Sequence, residues 1–267
     1  EVLATPPLPL DFAVDPDHPD AHYYLALIYA KQGQFEKAIP EFEAAAKLNP
    51  ASADVHNQMG LSFHREGYLA DAAREFQRAL ELTPQNAEAH NNLGLVYLAQ
   101  GDGDGSLREF QSAIQLNPRQ YAARNNLGLV YLQKAQWAEA ISTYAELIEV
   151  DPANAEAHYN LGVAHKQRDD FENAIPALQK AIRLDAKLPE PPYTLGVIYW
   201  QQGKLDEAAE QFRAALRIRP QYGQAHYILG SVLRQKGDLD GAHEELEAAL
   251  RLDPNDAGAH QALSTVL

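Results

Sequence analysis

The sequence predicts an all-α fold, a solenoid of antiparallel helix pairs. Three observations carry that expectation. First, Asn91-Asn92-Leu93-Gly94-Leu95-Val96-Tyr97-Leu98 returns 34 residues later as Asn125-Asn126-Leu127-Gly128-Leu129-Val130-Tyr131-Leu132. Looser copies lie at the same step on either side, Asn57-Gln58-Met59-Gly60 and Tyr159-Asn160-Leu161-Gly162. A fixed period of this size marks a stacked repeat array, which grows by adding units and not by enlarging one core. Second, each unit is punctuated in the middle by a turn, usually with glycine (Gly33, Gly67, Gly101, Gly203, Gly237), and six of the seven end at a proline, Pro50, Pro84, Pro118, Pro152, Pro220 or Pro254. Glycine suits the left-handed residue that ends a helix, and proline stops the next one. Third, residue size alternates in a strict register. Position 8 of the unit is small (Ala26, Gly60, Gly94, Gly128, Gly162, Gly196, Gly230, Ser264), position 20 is mostly alanine, and position 24 is large (Phe42, Phe76, Phe110, Tyr144, Phe212). Small against large is how two antiparallel helices approach closely.

In chain order, residues 1–18 carry Pro6, Pro7, Pro9 and Pro16, which exclude a regular helix and favour an extended path. The segment reads as a linker, or alternatively as a cap on the first repeat. Units then run 19–52, 53–86, 87–120, 121–154, 155–188, 189–222 and 223–256, and 257–267 is a half unit. That last piece reads as a capping helix or as the place where a longer array is cut. Two units depart from the pattern. Ala186 replaces the closing proline and Pro189-Glu190-Pro191-Pro192 follows, which should delay the first helix of the sixth unit. In the third unit Gly101-Asp102-Gly103-Asp104-Gly105-Ser106 places three glycines at a helix start, which predicts local looseness.

Composition narrows the function classes. Of 267 residues, 46% are apolar and 22% charged, an ordinary folded composition, and charges or amides interrupt every apolar run before it could span a membrane. The net charge of −15 argues against nucleic acid or an anionic membrane as the main partner and favours a neutral or basic protein. Cysteine is absent, so disulfides, thiolate chemistry and cysteine metal sites are excluded. The first residue is Glu1, with no visible signal peptide, so the chain reads as part of something longer. It is expected to be soluble, in the cytoplasm or, if exported, the periplasm.

The register resembles the tetratricopeptide repeat (TPR) family over residues 19–267. The resemblance implies a right-handed superhelix with the first helix of each pair lining the concave face. It also implies a protein-interaction scaffold without catalysis.

No residue pattern argues for chemistry. The Gly-Asp-Gly-Asp-Gly run fails as a calcium loop, because the twelfth position from Asp102 is Ala113 and not a bidentate glutamate. His22, His56, His90, His158, His226 and His260 share position 4, but packed helices hold equivalent residues about 8–10 Å apart, too far to share one ion. They read as packing histidines, and His165 at position 11 likewise. The cluster Asp15, Asp17, His18, Asp20 and His22 has Pro19 between its histidines and reads as adventitious. No phosphate loop or nucleophile elbow is present. Glu36, Lys37, Glu41 and Glu43 read as the solvated face of a second helix. Neither a cofactor, a metal nor a catalytic residue is expected.

Each first helix carries a second stripe, at positions 2, 5, 6, 9 and 13, opposite the packing stripe. A merely solvated stripe would be charged, and this one reads as apolar and amide. Leu95 and Leu129 occupy position 9, Leu98, Leu132 and Trp200 position 12, Asn92, Asn126 and Asn160 position 6, and Asn91, Asn125, Tyr159, Tyr193 and Tyr227 position 5. An asparagine side chain offers both donors and an acceptor to an extended backbone, while leucine and tyrosine cover its side chains. Resemblance to peptide-binding members implies that these residues hold a neutral or basic, extended peptide. The alternative use of the amides is to bridge adjacent helices. Lys31, Arg65, Lys166 and Arg234 sit at the margin, but positions 5 and 6 hold no cation, so a free-carboxylate ligand is not expected. Two other roles remain open from sequence: a substrate-recruiting module of a larger enzyme such as a glycosyltransferase, and a structural subunit of an assembly.

Overall fold

The computed structural model describes residues 18–266. The proline-rich stretch before His18, with Asp15 and Asp17, lies outside them. Among the described residues there are fifteen α-helices and no strand. In order these are α1 (Pro19–Lys31), α2 (Phe35–Leu48), α3 (Ala53–Arg65), α4 (Leu69–Leu82), α5 (Ala87–Ala99), α6 (Gly103–Leu116), α7 (Tyr121–Gln133) and α8 (Trp137–Val150). They continue with α9 (Ala155–Gln167), α10 (Phe171–Leu184), α11 (Glu190–Gln201), α12 (Leu205–Ile218), α13 (Gly223–Lys236), α14 (Leu239–Leu252) and α15 (Ala257–Ser264). The chain divides into two compact units after Val130.

In the first unit α1 pairs with α2, α3 with α4 and α5 with α6. Second helices pack on the next pair (α2 on α3, α4 on α5), and α1 touches α3 as α3 touches α5. Its core holds Phe42, Met59, Phe63, Phe76, Leu93 and Val96, all buried. In the second unit α9 pairs with α10, α11 with α12 and α13 with α14, while α15 covers α14. Tyr144, Leu147, Leu178, Ile198, Phe212, Leu229 and Leu246 are fully or almost fully buried there.

The small-against-large register is a steric necessity. A methyl group built on Gly94 would stand 2.7 Å from the Phe110 ring, and one on Gly162 or Gly230 would stand 2.7 Å from Leu178 or Leu246. A side chain at these glycines makes the facing Phe110, Leu178 or Leu246 shift. The pair turns need something different. Gly33, Gly67, Gly101, Gly203 and Gly237 have φ between 72° and 84°, in the left-handed region. The equivalent residues of the other two turns are Ala135 (φ 55°) and Asp169 (φ 57°), which adopt the same conformation against the preference of a Cβ.

Local capping explains where the helices start. Ser52, Asn86, Asn154 and Asp256 accept a backbone N–H from Val55, Ala89, Ala157 and Ala259, satisfying donors that the first turn leaves open. The glycines of the third unit are absorbed in the same way. Asp102 Oδ1 accepts from the Gly105 N–H at 2.8 Å, and α6 reaches fourteen residues like its counterparts. The prolines around position 189 do delay α11, which begins at Glu190, one residue later in the register than the other first helices, and which has no side-chain cap.

Position 4 ties successive pairs together. Nε2 of His56, His90, His158, His226 and His260 donates to the carbonyl of Pro50, Pro84, Pro152, Pro220 and Pro254 at 2.9–3.3 Å. Arg124 does the same to Pro118 at 2.6 Å. The other ring nitrogen, Nδ1, meets a carboxylate nineteen residues on: His22–Glu41 2.6 Å, His56–Glu75 2.7 Å, His90–Glu109 2.6 Å and His226–Glu245 2.6 Å. His56, His90 and His226 thus each bridge a proline carbonyl and a glutamate carboxyl through the two ring nitrogens. Glu41 therefore belongs not to the solvated face but to this seam, half-buried against His22, whereas Glu36, Lys37 and Glu43 are exposed. His165 is also bonded, through Nδ1 to Asp170 Oδ2 at 2.8 Å.

Candidate functional site

Once positions 4, 7, 8 and 11 are spent on packing, each first helix presents the opposite stripe. In the first unit Asn91 and Asn92 are buried, and Asn125, Asn126, Leu95, Leu98 and Leu129 are half-buried. Asn126 Nδ2 donates to Asn91 Oδ1 at 3.1 Å, and Asn91 Nδ2 points to Asn92 Oδ1 at 3.5 Å. The amides thus form a short ladder from position 6 of one unit to position 5 of the unit before. The equivalent rung one unit earlier is open: Asn92 Nδ2 and Asn57 Oδ1 are both buried and both lack a hydrogen-bond partner. An amide in that state is costly, of the order of 1–3 kcal/mol, until a partner reaches it.

In the second unit Asn160 is buried and hydrogen-bonded to the Tyr144 hydroxyl. Burial, with the Glu156 carboxylate adding to it, pushes that hydroxyl far above its ordinary range, so it stays protonated. Leu132, Tyr159, Tyr193, Trp200 and Tyr227 are half-buried. Position 5 pairs with position 6 of the next unit here too, as Tyr159 with Thr194. Trp200 Nε1 donates to Gln235 Oε1 at 3.0 Å. Tyr193 stacks on Tyr222 (centroids 4.9 Å apart, planes 29°), and the Arg219 guanidinium lies 5.0 Å above Tyr222 while bonding Glu190 at 2.6 Å. Burial, then the neighbouring Tyr222 and Tyr159, pushes the Tyr193 hydroxyl up to about 12. Tyr222, Arg219 and Glu190 were not foreseen. The signal was there, since Tyr222 occupies the slot where other units place a capping Ser, Asn or Asp.

The stripe also holds charge that the sequence reading passed over. Position 2 carries Asp20, Asp54 and Glu88 in the first unit, all exposed, and position 13 carries the exposed Lys31 and Arg65. Reading position 2 down the register would have found the acidic row. Among the described residues no three His, Asp or Glu side chains converge to hold a metal ion, and no helix is long and apolar enough to cross a membrane.

The family model described as tetratricopeptide repeat matches residues 97–146, 125–189 and 193–257, and the one described as TPR repeat matches 26–67 and 62–101. The chain belongs to the tetratricopeptide repeat family. Repeats of this family serve in general as protein-interaction modules without catalysis. No curated protein matches the chain. Among solved structures it is similar to PilF of Pseudomonas aeruginosa, at 20% identity over 81% of this chain and 98% of that one, with a TM-score of 0.69. A MamA structure is 29% identical over 62% of this chain and 96% of its own, with a TM-score of 0.57. YrrB, described as a TPR protein with an unusual peptide-binding site, is 23% identical over 67% and 93%, with a TM-score of 0.59. These likenesses concern the fold.

Proposed function

We propose that the chain is a non-catalytic scaffold that holds an extended, neutral or basic segment of a partner protein on the first-helix faces of its repeats. The observation that carries this reading is the stripe itself: half-buried Leu95, Leu98 and Leu129 beside an amide ladder whose Asn57–Asn92 rung is open. A bound backbone supplies both a carbonyl and an N–H to such a rung, and the leucines cover its side chains. The description of YrrB as peptide-binding supports the same use of the fold.

The test is partner capture by the full chain carrying Asn92→Ala, Asn126→Ala and Asn160→Ala together. Because Asn126 and Asn160 also join helices, a second variant, Leu95→Lys, perturbs the face without removing a bridge. Both should remain helical by circular dichroism and lose capture. Undiminished capture by both variants refutes the proposal.

A further inference from the structure

The first unit's face has a polarity that specifies its ligand more narrowly than an extended segment, and the inference rests on the function proposed above. Along each first helix of α1, α3 and α5 the order is fixed: an acidic residue at position 2, an amide or tyrosine at 6, leucine at 9, and, in α1 and α3, a cation at 13. The acidic row is Asp20, Asp54 and Glu88, all exposed. Asp54 and Glu88 form no ion pair among the described residues, and Asp20 has only His18 Nδ1, at 3.8 Å. An acid in the first turn is favoured by the helix dipole on any helix, so the row alone would say nothing of a ligand. The second observation is the open rung on the same face. Asn92 is 8% exposed and Asn57 5% exposed, and each keeps a polar atom without a partner, between the acidic row and the leucines.

We infer that this face takes a polyproline-like segment of another protein carrying Lys or Arg at every third residue, with an apolar residue in each triplet. The geometry is a matching of periods. Packed helices repeat every ~8–10 Å. A polyproline helix advances about 3.1 Å per residue with three residues per turn, so it returns the same side about every 9 Å. One triplet therefore spans one first helix. Its apolar side chain rests on Leu27, Leu61 or Leu95, its basic side chain reaches Asp20, Asp54 or Glu88, and its third side chain faces the edge of Lys31 and Arg65. Positions 2 and 13 are about 16 Å apart along the helix, wide enough for one extended chain with its side chains. Its backbone meets the Asn57–Asn92 rung. The net charge of −15 adds long-range attraction for such a ligand.

The experiment titrates the full 267-residue chain against fluorescein-labelled (Pro-Leu-Lys)4 and (Pro-Leu-Glu)4, read by anisotropy. The lysine peptide should bind and the glutamate peptide should not. With Asp20→Asn, Asp54→Asn and Glu88→Gln combined, binding should weaken about tenfold, three exposed charge pairs at a few tenths of a kcal/mol each or more. Neutralising three exposed second-helix acids instead (Glu36→Gln, Glu43→Gln, Glu81→Gln) should change it by less than about twofold, which separates a specific row from net charge. Equal weakening by both triple variants overturns the inference, and so does absence of binding by the lysine peptide. A glutamate peptide that binds equally well and protects α1, α3 and α5 from hydrogen exchange also overturns it, while leaving standing the scaffold for an extended segment but not its preference for a neutral or basic one.

Discussion

The His56–Glu75 pair gives the seam a measurable strength. Its Nδ1–Oε2 distance is 2.7 Å and both side chains are only 11% exposed, so water screens it little. Hydrogen bonds to charged groups under such conditions contribute about 1.5–3 kcal/mol. Arg78–Glu81 is equally short at 2.7 Å but 46% and 64% exposed, and should contribute about 0.3–0.5 kcal/mol. A double-mutant cycle on His56→Gln and Glu75→Gln should therefore return a coupling of about 2 kcal/mol, several times that of the surface pair. The assay is urea denaturation followed by circular dichroism, fitted with a nearest-neighbour model suited to a repeat array. A coupling no larger than that of Arg78–Glu81 would refute the view that a buried, doubly hydrogen-bonded histidine ring holds the pairs together.

Three other expectations can be checked by thermal or chemical unfolding. Ala135→Gly should stabilise the second unit by about 0.5–1 kcal/mol, because φ 55° suits glycine, and Gly203→Ala, with no atom within 4 Å of the added methyl, should lose a similar amount for backbone reasons alone. Gly94→Ala should destabilise by about 1 kcal/mol in spite of alanine's better helix propensity, since the methyl would lie 2.7 Å from a fully buried Phe110; an unchanged or higher midpoint would contradict the close approach. His158 faces no carboxylate, its nineteen-on partner being Ala177. Burial lowers its affinity for a proton, and Lys180 and Arg183 lower it further, while its bond to Pro152 works the other way. The unfolded chain then binds the extra proton first, so this contribution to stability is full above the unfolded value of about 6.5 and fades as pH falls below it. His158→Asn should flatten that acid slope.

What could be read from sequence was whatever a single residue type decides by itself. Glycine opposite phenylalanine at Gly94 and Phe110, prolines that stop helices, and Ser52 or Asn86 ahead of a helix each have one steric or hydrogen-bonding meaning. Relations between residues were harder. Ala135 is no turn former, and nothing in its residue type announces the left-handed backbone that the structure shows. Glu41 looked solvated because surface helices are rich in glutamate, and its tie to His22 needs the inter-helix distance. The pairing does leave a trace: where Glu gives way to Thr143 or Gln211, His gives way to Arg124 or Pro192. The candidate site divides in the same way. The rows of Asn, Leu and Tyr were visible, but whether an amide meets its neighbour, as Asn126 meets Asn91, or stays open, as Asn92 does, depends on helix spacing and side-chain rotation that no periodicity encodes.

Pro192 is the one position-4 residue between α3 and α15 with no N–H to give, and the carbonyl it would meet is no longer that of a proline. In a stack whose members feel only their neighbours, cooperativity is set joint by joint. The joint between α10 and α11 lacks both the tie and a side-chain cap at the start of α11. What replaces them is made from farther along the chain: Arg219 reaching back to Glu190, and Tyr222 stacked on Tyr193. Those contacts stay within residues 189–222, so they brace the α11–α12 pair itself, and its joint to the pair before rests on helix packing and the Tyr159–Thr194 bond. On heating or under tension this joint becomes a natural parting line within the second unit, where the array can come apart into segments that each keep their own helices.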